Sequence, residues 1–167
     1  RVVFEPHNQI SKARNRGASQ SKGENLFFVD ADTIVSPSLF LEALSLMKGG
    51  ACGAGGALLS FDRKDGGWFW GRFVPSLWNR VSGILRLAAG SFLFCRRDFF
   101  LECGGFSEKV YAGEEVFFSR QLKKLCKRES REFVILKDNP VTTSSRKLKW
   151  FSNWQILCST LVVLCVP

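Results

Sequence analysis

Asp30 and Asp32 are the residues whose type and spacing are best suited to chemistry in this chain. They close the stretch Phe27-Phe28-Val29-Asp30-Ala31-Asp32, in which an apolar run gives way to two carboxylates spaced i, i+2. Apolar residues bounded by polar ones read as a short buried strand. Carboxylates at the point where such a strand leaves the sheet lie where open α/β sheets bind ligands. Successive strand residues point to opposite faces, so both acids are expected to point the same way across small Ala31. Two hard oxygen ligands suit Mg²⁺ or Mn²⁺ carrying a substrate phosphate better than a full protein cage. The alternative is a surface turn with two solvated acids. A second acidic pair, Glu114-Glu115, opens a strongly periodic segment. Such a pair stabilises a helix N-terminus by roughly 0.3–1 kcal/mol.

The elements that must position these residues alternate between strand and helix patterns. Residues 2–5 read as a strand ending at Pro6, and Asn8 to Lys22 as a helix with Gly17 as a weak point. Leu26 to Asp30 is the next strand. Ser36 before Pro37 is an N-cap with proline at the first helical position; Phe40, Leu41, Leu44 and Met47 supply an apolar face, and Gly49-Gly50 ends the helix. Ala51 to Phe61 is glycine-studded and apolar, a strand that needs close backbone approach. A polar loop from Asp62 to Gly67 leads into Trp68 to Leu87, read as helical or mobile with an aromatic and basic face. Ala89 to Cys95 reads as a strand, and a short helix then closes at Gly104-Gly105. Glu114 to Lys127 is a helix with Phe118, Leu122 and Leu125 at i, i+4 and i+7, and Phe133 to Leu136 is a last strand. The alternation predicts an α/β sheet with a parallel core.

The chain has 167 residues, 46% of them hydrophobic, enough for one domain with a sizeable core and not a disordered composition. Sixteen Phe and five Trp against one Tyr point to a large aromatic core with aromatics left over for a binding face. A net charge of +9 directs attention to nucleic acid, anionic membrane or phosphorylated substrates as partners. The six cysteines form no C-x-x-C pair and His7 is the one histidine, which argues against a zinc site. Cysteines inside apolar runs behave as small hydrophobes, and a reducing compartment is expected. The chain opens at Arg1 without a signal-peptide pattern and enters directly into Val2-Val3-Phe4, as the remainder of a longer protein would.

Several segments share one ordered pattern. They are Ala13-Arg14-Asn15-Arg16-Gly17, then Gly23 to Asp32 followed by Pro37, Gly90-Ser91-Phe92-Leu93-Phe94-Cys95-Arg96-Arg97, Gly104-Gly105-Phe106-Ser107-Glu108, and Gly113-Glu114-Glu115. Their order and spacing resemble the family 2 glycosyltransferases, inverting enzymes of the GT-A fold, over roughly Val2 to Arg146. The resemblance implies a Rossmann-like GT-A domain over residues 1–150, a mixed and mostly parallel sheet flanked by helices, with the family's first strands expected before Arg1. It implies a nucleotide-sugar donor, a uridine diphosphate sugar by family habit, lying across the strand ends. Mn²⁺ or Mg²⁺ on Asp30 and Asp32 would neutralise its diphosphate, and Asp30 would also help bind the nucleotide sugar. A carboxylate would deprotonate an acceptor hydroxyl that attacks the anomeric carbon with inversion. The family's base is the Asp of a Glu-Asp pair; here Glu115, one methylene longer, takes that position beside Glu114. Arg14 and Asn15 would contact the nucleotide or its phosphates, and Gly90 and Ser91 would line the acceptor side. Ser107 stands where the family usually has Asp and is expected to affect a turn only. Arg146-Lys147-Leu148-Lys149-Trp150 matches the Q-x-x-R-W of processive synthases poorly, which argues against a polymerase.

Cationic residues dominate from Arg120 to Lys149, and aromatic Trp150, Phe151 and Trp154 lead into an apolar run from Ile156 to Val166. That run is well short of the roughly 20 residues that span a bilayer. The segment 151–167 reads either as an interfacial helix on anionic lipid or as a core-packing terminal helix. The first alternative agrees with a lipid-linked acceptor, a peripheral membrane contact and a place in the cytoplasm at a membrane's cytoplasmic face; a carbohydrate acceptor fits either. Two rival functions remain at this stage. One is a basic binding module, although no nucleic-acid-binding motif is present and nucleic acid is not the expected partner. The other is an inactive glycosyltransferase-like fragment.

Overall fold

A computed structural model describes residues 2–62, 79–80, 88, 90–111 and 113–144. Its first helix, α1 (Ile10–Gln20), is followed by strand β1 (Asn25–Val29), a two-residue strand β2 (Thr33–Ile34), helix α2 (Pro37–Lys48) and strand β3 (Cys52–Phe61). After the connection come strand β4 (Phe92–Arg96), the short helix α3 (Arg97–Glu102), helix α4 (Glu114–Arg128) and strand β5 (Glu132–Thr143). The strands form one sheet in the order β1-β4-β3-β5-β2.

Helix starts follow local chemistry. The Ser36 side chain accepts the Leu39 N–H at 3.2 Å, with Pro37 at the first helical position, as the sequence predicts. In α4 the expected stripe of Phe118, Leu122 and Leu125 is buried against the sheet. The glycines of β3 answer a packing demand. A Cβ on Gly55 would collide with the Val134 carbonyl oxygen, and one on Gly56 would lie 2.6 Å from the Ala88 methyl. The strand therefore needs glycine where neighbours approach its backbone.

The expected predominance of parallel pairing is not what the described residues form. β1 with β4, β4 with β3, and β5 with β2 are antiparallel; β3 with β5 is the parallel pair. Alternating helices and strands imply parallel neighbours only when consecutive strands pair. Here β4 is inserted between β1 and β3 and reverses direction against both. The strand expected at residues 2–5 is absent: the segment is non-repetitive, with Val2 97% and Phe4 80% exposed. β5 runs well beyond Leu136. Its polar stretch Lys137-Asp138-Asn139-Pro140 bulges where the β3 pairing shifts between Ala57 and Leu59, and Val141 then returns to the core. Asn139 ties that bulge to α2, donating to Glu42 at 3.0 Å and accepting from Ser38 at 3.2 Å.

Two apolar layers cover the sheet. One packs α1, α3 and α4 on one face around Phe28, Phe100, Phe106 and Phe118. Phe106 packs at a tilt 4.3 Å from Phe118 and meets Phe28 edge-on at 4.9 Å, so the Phe-rich composition becomes an aromatic core. The other layer seats Leu39, Ala43 and Met47 of α2 on Phe92, Phe94 and Val141. Burying each such side chain stabilises the fold by about 1.5–3 kcal/mol. Cys52, Cys95, Cys103 and Cys126 are free thiols in or beside these layers, as expected of small hydrophobes. Burial pushes the Cys52 and Cys103 thiols up to about 11 and Cys126 up to about 12, so they stay protonated. The aromatic and basic stretch 68–87, apart from Asn79 and Arg80, and residues 145–167 lie outside the described residues. Among the described residues no helix is long and apolar enough to cross a membrane.

Candidate active site

The chemistry-bearing residues gather where β1 ends, β4 begins and α4 starts, with α1 laid across them. Arg14 is the hub. Its Nη2 donates to Asp30 Oδ1 at 2.8 Å and to the Gly90 carbonyl at 2.8 Å, while Nη1 donates to Glu114 Oε1 at 3.0 Å. The guanidinium also lies over the Phe106 ring, 5.1 Å from its centroid. The Arg14 side chain is 11% exposed and that of Glu114 is 5% exposed, so this network is largely withdrawn from water. A planar fork that meets several acceptors at once is a task for arginine and not for lysine. Sequence reasoning gave Arg14 to the nucleotide; in this structure its Nη1 and Nη2 donate to the protein's own carboxylates and backbone.

The two aspartates are not on a strand. β1 ends at Val29, and Thr33 N–H closes back on the Asp30 carbonyl at 3.1 Å, so Asp30 to Thr33 form a turn. The expected alternation along an extended chain therefore does not govern their directions. Asp30 is pulled toward α1 by Arg14, and its own N–H donates to the Ser91 carbonyl at 3.3 Å. Asp32 lies deeper in the turn, where its main-chain oxygen accepts the Ser144 N–H at 3.2 Å. Among the described residues no group of three or more His, Cys, Asp and Glu side chains gathers as a metal cage. Asp30 and Asp32 supply carboxylate oxygens two positions apart in this turn, the donor type that holds Mg²⁺ or Mn²⁺ together with nucleotide phosphates.

Gly113, in the left-handed conformation at φ 76°, turns the chain so that Glu114 and Glu115 open α4 at the cluster. Glu115 keeps some surface open to solvent, yet most of its surroundings are protein. Desolvation raises its carboxyl above the ordinary range, and the charges of Glu114 and Asp30 push the same way against the pull of Arg14. The site is tight here: a Cβ on Gly90 would lie 3.2 Å from Arg14 Nη2 and 3.5 Å from Glu115 Cδ. Ser91 is 7% exposed, and its hydroxyl has no hydrogen-bond partner among the described residues. It immediately precedes β4, whose Leu93 and Cys95 face the layer that carries α1 and α4.

Asn15, also expected at the nucleotide, clasps a turn. Its Nδ2 donates to the Phe106 carbonyl and to Glu108 Oε1, both at 2.9 Å, and its Oδ1 accepts the Phe106 N–H at 2.9 Å. Gln9, which sequence reasoning passed over, donates from Nε2 to the Glu108 carbonyl at 2.8 Å. Asn15 of α1 and Gln9 at its N-cap thus hold the loop that delivers Glu114 and Glu115. Ser107 acts within that turn, its Oγ accepting the Lys109 N–H at 3.4 Å. The Gly104-Gly105-Phe106 stretch was the available signal, since paired glycines, here at φ 73° and 76°, mark a turn that something must brace.

Comparison with known proteins bears on this arrangement. The family model described as Glycosyl transferase family 2 matches residues 1–104. The match takes in Arg14, Asn15, Asp30, Asp32, Gly90 and Ser91 and stops short of Glu114 and Glu115. No curated protein matches the chain.

Proposed function

The chain belongs to glycosyl transferase family 2, and on that premise we propose that the Arg14-centred cluster is the transfer site of an inverting, divalent-metal-dependent sugar transferase. The donor is a nucleotide-diphosphate sugar, in the first instance a uridine diphosphate sugar. The acceptor is a hydroxyl of a carbohydrate or of a lipid-linked sugar. The observation that carries this reading is Glu115: a desolvated carboxylate of raised basicity at a helix start, held against Gly90 and beside Asp30.

In this reading Asp30 and Asp32 would hold Mn²⁺ or Mg²⁺, which when bound supplies Lewis-acid stabilisation to a departing diphosphate. Glu115 accepts the proton of the acceptor hydroxyl, and its raised pKa makes it a stronger base than an ordinary carboxylate. The acceptor oxygen then forms its bond to the anomeric carbon, while the bond from that carbon to the diphosphate oxygen breaks and the electron pair leaves with the nucleoside diphosphate. Arg14 holds Glu114 and Asp30 at fixed positions and keeps three neighbouring acids from repelling one another apart. The Ser91 hydroxyl, without a protein partner among the described residues, offers a hydrogen bond on the acceptor side. The cationic residues between Arg120 and Lys149, within a chain of net charge +9, suit an acceptor presented at an anionic lipid surface on the cytoplasmic side.

Titration calorimetry with UDP, with and without Mn²⁺, tests the site, and UDP release from a panel of UDP-sugars tests the reaction. Metal-dependent UDP binding that Asp32→Ala removes is the expected result. Glu115→Gln should keep that binding and lose about 10²–10⁴-fold in turnover, the usual contribution of a positioned base. Undiminished turnover in Glu115→Gln, or a folded protein that ignores UDP at every metal concentration, would overturn the assignment.

A further inference from the structure

The connection from β3 to β4 returns to the sheet at an asparagine. The ladder between these strands runs Ala54–Cys95, Gly55–Phe94 and Gly56–Leu93. Beyond it β3 continues along β5, pairing Leu59 with Val141 and Ser60 with Thr142. Carrying the β3–β4 register onward sets Leu59 level with Gly90, where β4 has not yet begun. The edge of β3 that faced β4 would leave the Leu59 N–H and C=O without a strand partner there, and backbone groups withdrawn from water require one. Asn79 supplies both bonds. Its Nδ2 donates to the Leu59 carbonyl at 2.8 Å, and its Oδ1 accepts the Leu59 N–H at 2.8 Å. The carboxamide reproduces the donor–acceptor pair that a neighbouring strand would present.

A second fixing point lies nearer the site. The Ala88 N–H donates to Ser119 Oγ of α4 at 3.3 Å, and Ala88 is fully buried in the space that glycine leaves at position 56. Asn79 and Ala88 are thus each tied to a neighbouring element, and Gly90, two residues after Ala88, gives its carbonyl to Arg14. One residue further on, Asp30 N–H donates to the Ser91 carbonyl. Leu59, bonded to Asn79, is thus level with Gly90, and Asp30 lies opposite the adjoining Ser91 at this end of the sheet.

We infer that Asn79 is a positioning residue for the acceptor side of the transfer site. It ends the β3 ladder with a side chain and so fixes where the chain re-enters at Gly90 and Ser91. The inference rests on the transferase reading given above, and it concerns the acceptor wall rather than the donor: Asn79 acts through Leu59 and Gly90 and touches no reacting atom.

The test uses Asn79→Asp, which can still accept from the Leu59 N–H but has no donor for its carbonyl, and Asn79→Leu, which offers neither bond. Three readouts are taken on protein whose thermal melt shows it folded. Amide exchange is followed at Leu59, Gly90 and Ser91; UDP affinity is measured in Mn²⁺; and UDP release from UDP-glucose is followed against octyl glucoside as the acceptor probe. Asn79→Leu is expected to speed exchange at all three amides by about tenfold, the worth of a net hydrogen bond or two, and Asn79→Asp, which keeps the acceptor for the Leu59 N–H, to do so at Gly90 and Ser91. UDP affinity should stay within about twofold, while the KM for octyl glucoside rises by about tenfold with the donor KM unchanged, a split that mere loss of stability does not produce. Unchanged exchange at Gly90 and Ser91, or a donor KM that rises with the acceptor KM, overturns the inference. A wild-type protein that neither binds UDP nor turns over would remove the transferase reading, and with it any acceptor side for Asn79 to position, whatever the exchange result at Leu59.

Discussion

Replacing Arg14 by methionine keeps most of the side chain's bulk and removes its charge and all its hydrogen bonds. Three consequences can be weighed. Glu114, 5% exposed, loses its counter-ion at 3.0 Å and is left as a buried carboxylate beside Glu115. Asp30, 25% exposed, loses its partner at 2.8 Å but can recover water, so its share is smaller. The Gly90 carbonyl loses one donor at 2.8 Å. Breaking a buried pair by removing one partner costs about 3–5 kcal/mol, and the exposed pair adds little, so a loss of about 3–5 kcal/mol is expected for Arg14→Met. That is a large share of the roughly 5–15 kcal/mol by which domains are stable. At about 2–4 °C per kcal/mol for a chain of this size, the melting temperature should fall by about 6–20 °C. Urea unfolding at neutral pH with a constant slope measures the loss directly. The decisive control is the double variant Arg14→Met with Glu114→Gln, which removes the stranded charge and should regain about 0.5–3 kcal/mol of coupling. If Arg14→Met costs less than about 1 kcal/mol and combines additively with Glu114→Gln, the guanidinium is not the electrostatic hub, and the account of the site built on it is wrong.

Two further expectations concern single positions. The folded state raises the Glu115 carboxyl above its ordinary value of 4.5, so folding takes up a proton there. Its contribution to stability is complete below the ordinary carboxylate pKa and is lost as pH rises through the raised one; a series of unfolding curves across that window should slope downward in the wild type and flatten in Glu115→Gln. Because Arg14 opposes the shift, Arg14→Met should extend the downward slope to higher pH. At the turn braced by Asn15, Gly105→Ala would put a Cβ 2.7 Å from Asn15 Oδ1 on a backbone at φ 76°. A loss of about 1–3 kcal/mol is expected from the conformational strain alone, and a melting temperature within a degree of wild type would show that the turn does not need its glycine.

Most of the element boundaries were legible because they depend on neighbours in sequence. Ser36-Pro37 starts a helix through its own hydroxyl and ring, and Phe118, Leu122 and Leu125 share a face at helical spacing wherever the helix is placed. β5 was read too short because Lys137 to Pro140 are polar and include a proline, and the bulge that accommodates them exists only against β3 and α2. Val2-Val3-Phe4 was read as a strand from its β-branched and aromatic residues, but a strand is made by its partner, and none pairs with it among the described residues.

The sequence by itself singled out the residues suited to chemistry: acids at Asp30, Asp32, Glu114 and Glu115, a cation at Arg14, and glycines where the chain must turn or pass close to another. It also determined the helices and most strands, since periodicity and capping act over a few residues. Tertiary structure alone decided what those residues touch. Arg14 meets Asp30 across 16 positions, Gly90 across 76 and Glu114 across 100, and Asn15 meets Phe106 across 91. No local pattern encodes such meetings, because they follow from β4 entering between β1 and β3 and from α1 and α4 sharing one face of the sheet. The raised basicity of Glu115 has the same origin: desolvation and the charges of Glu114 and Asp30 reach it only once the chain has folded around it.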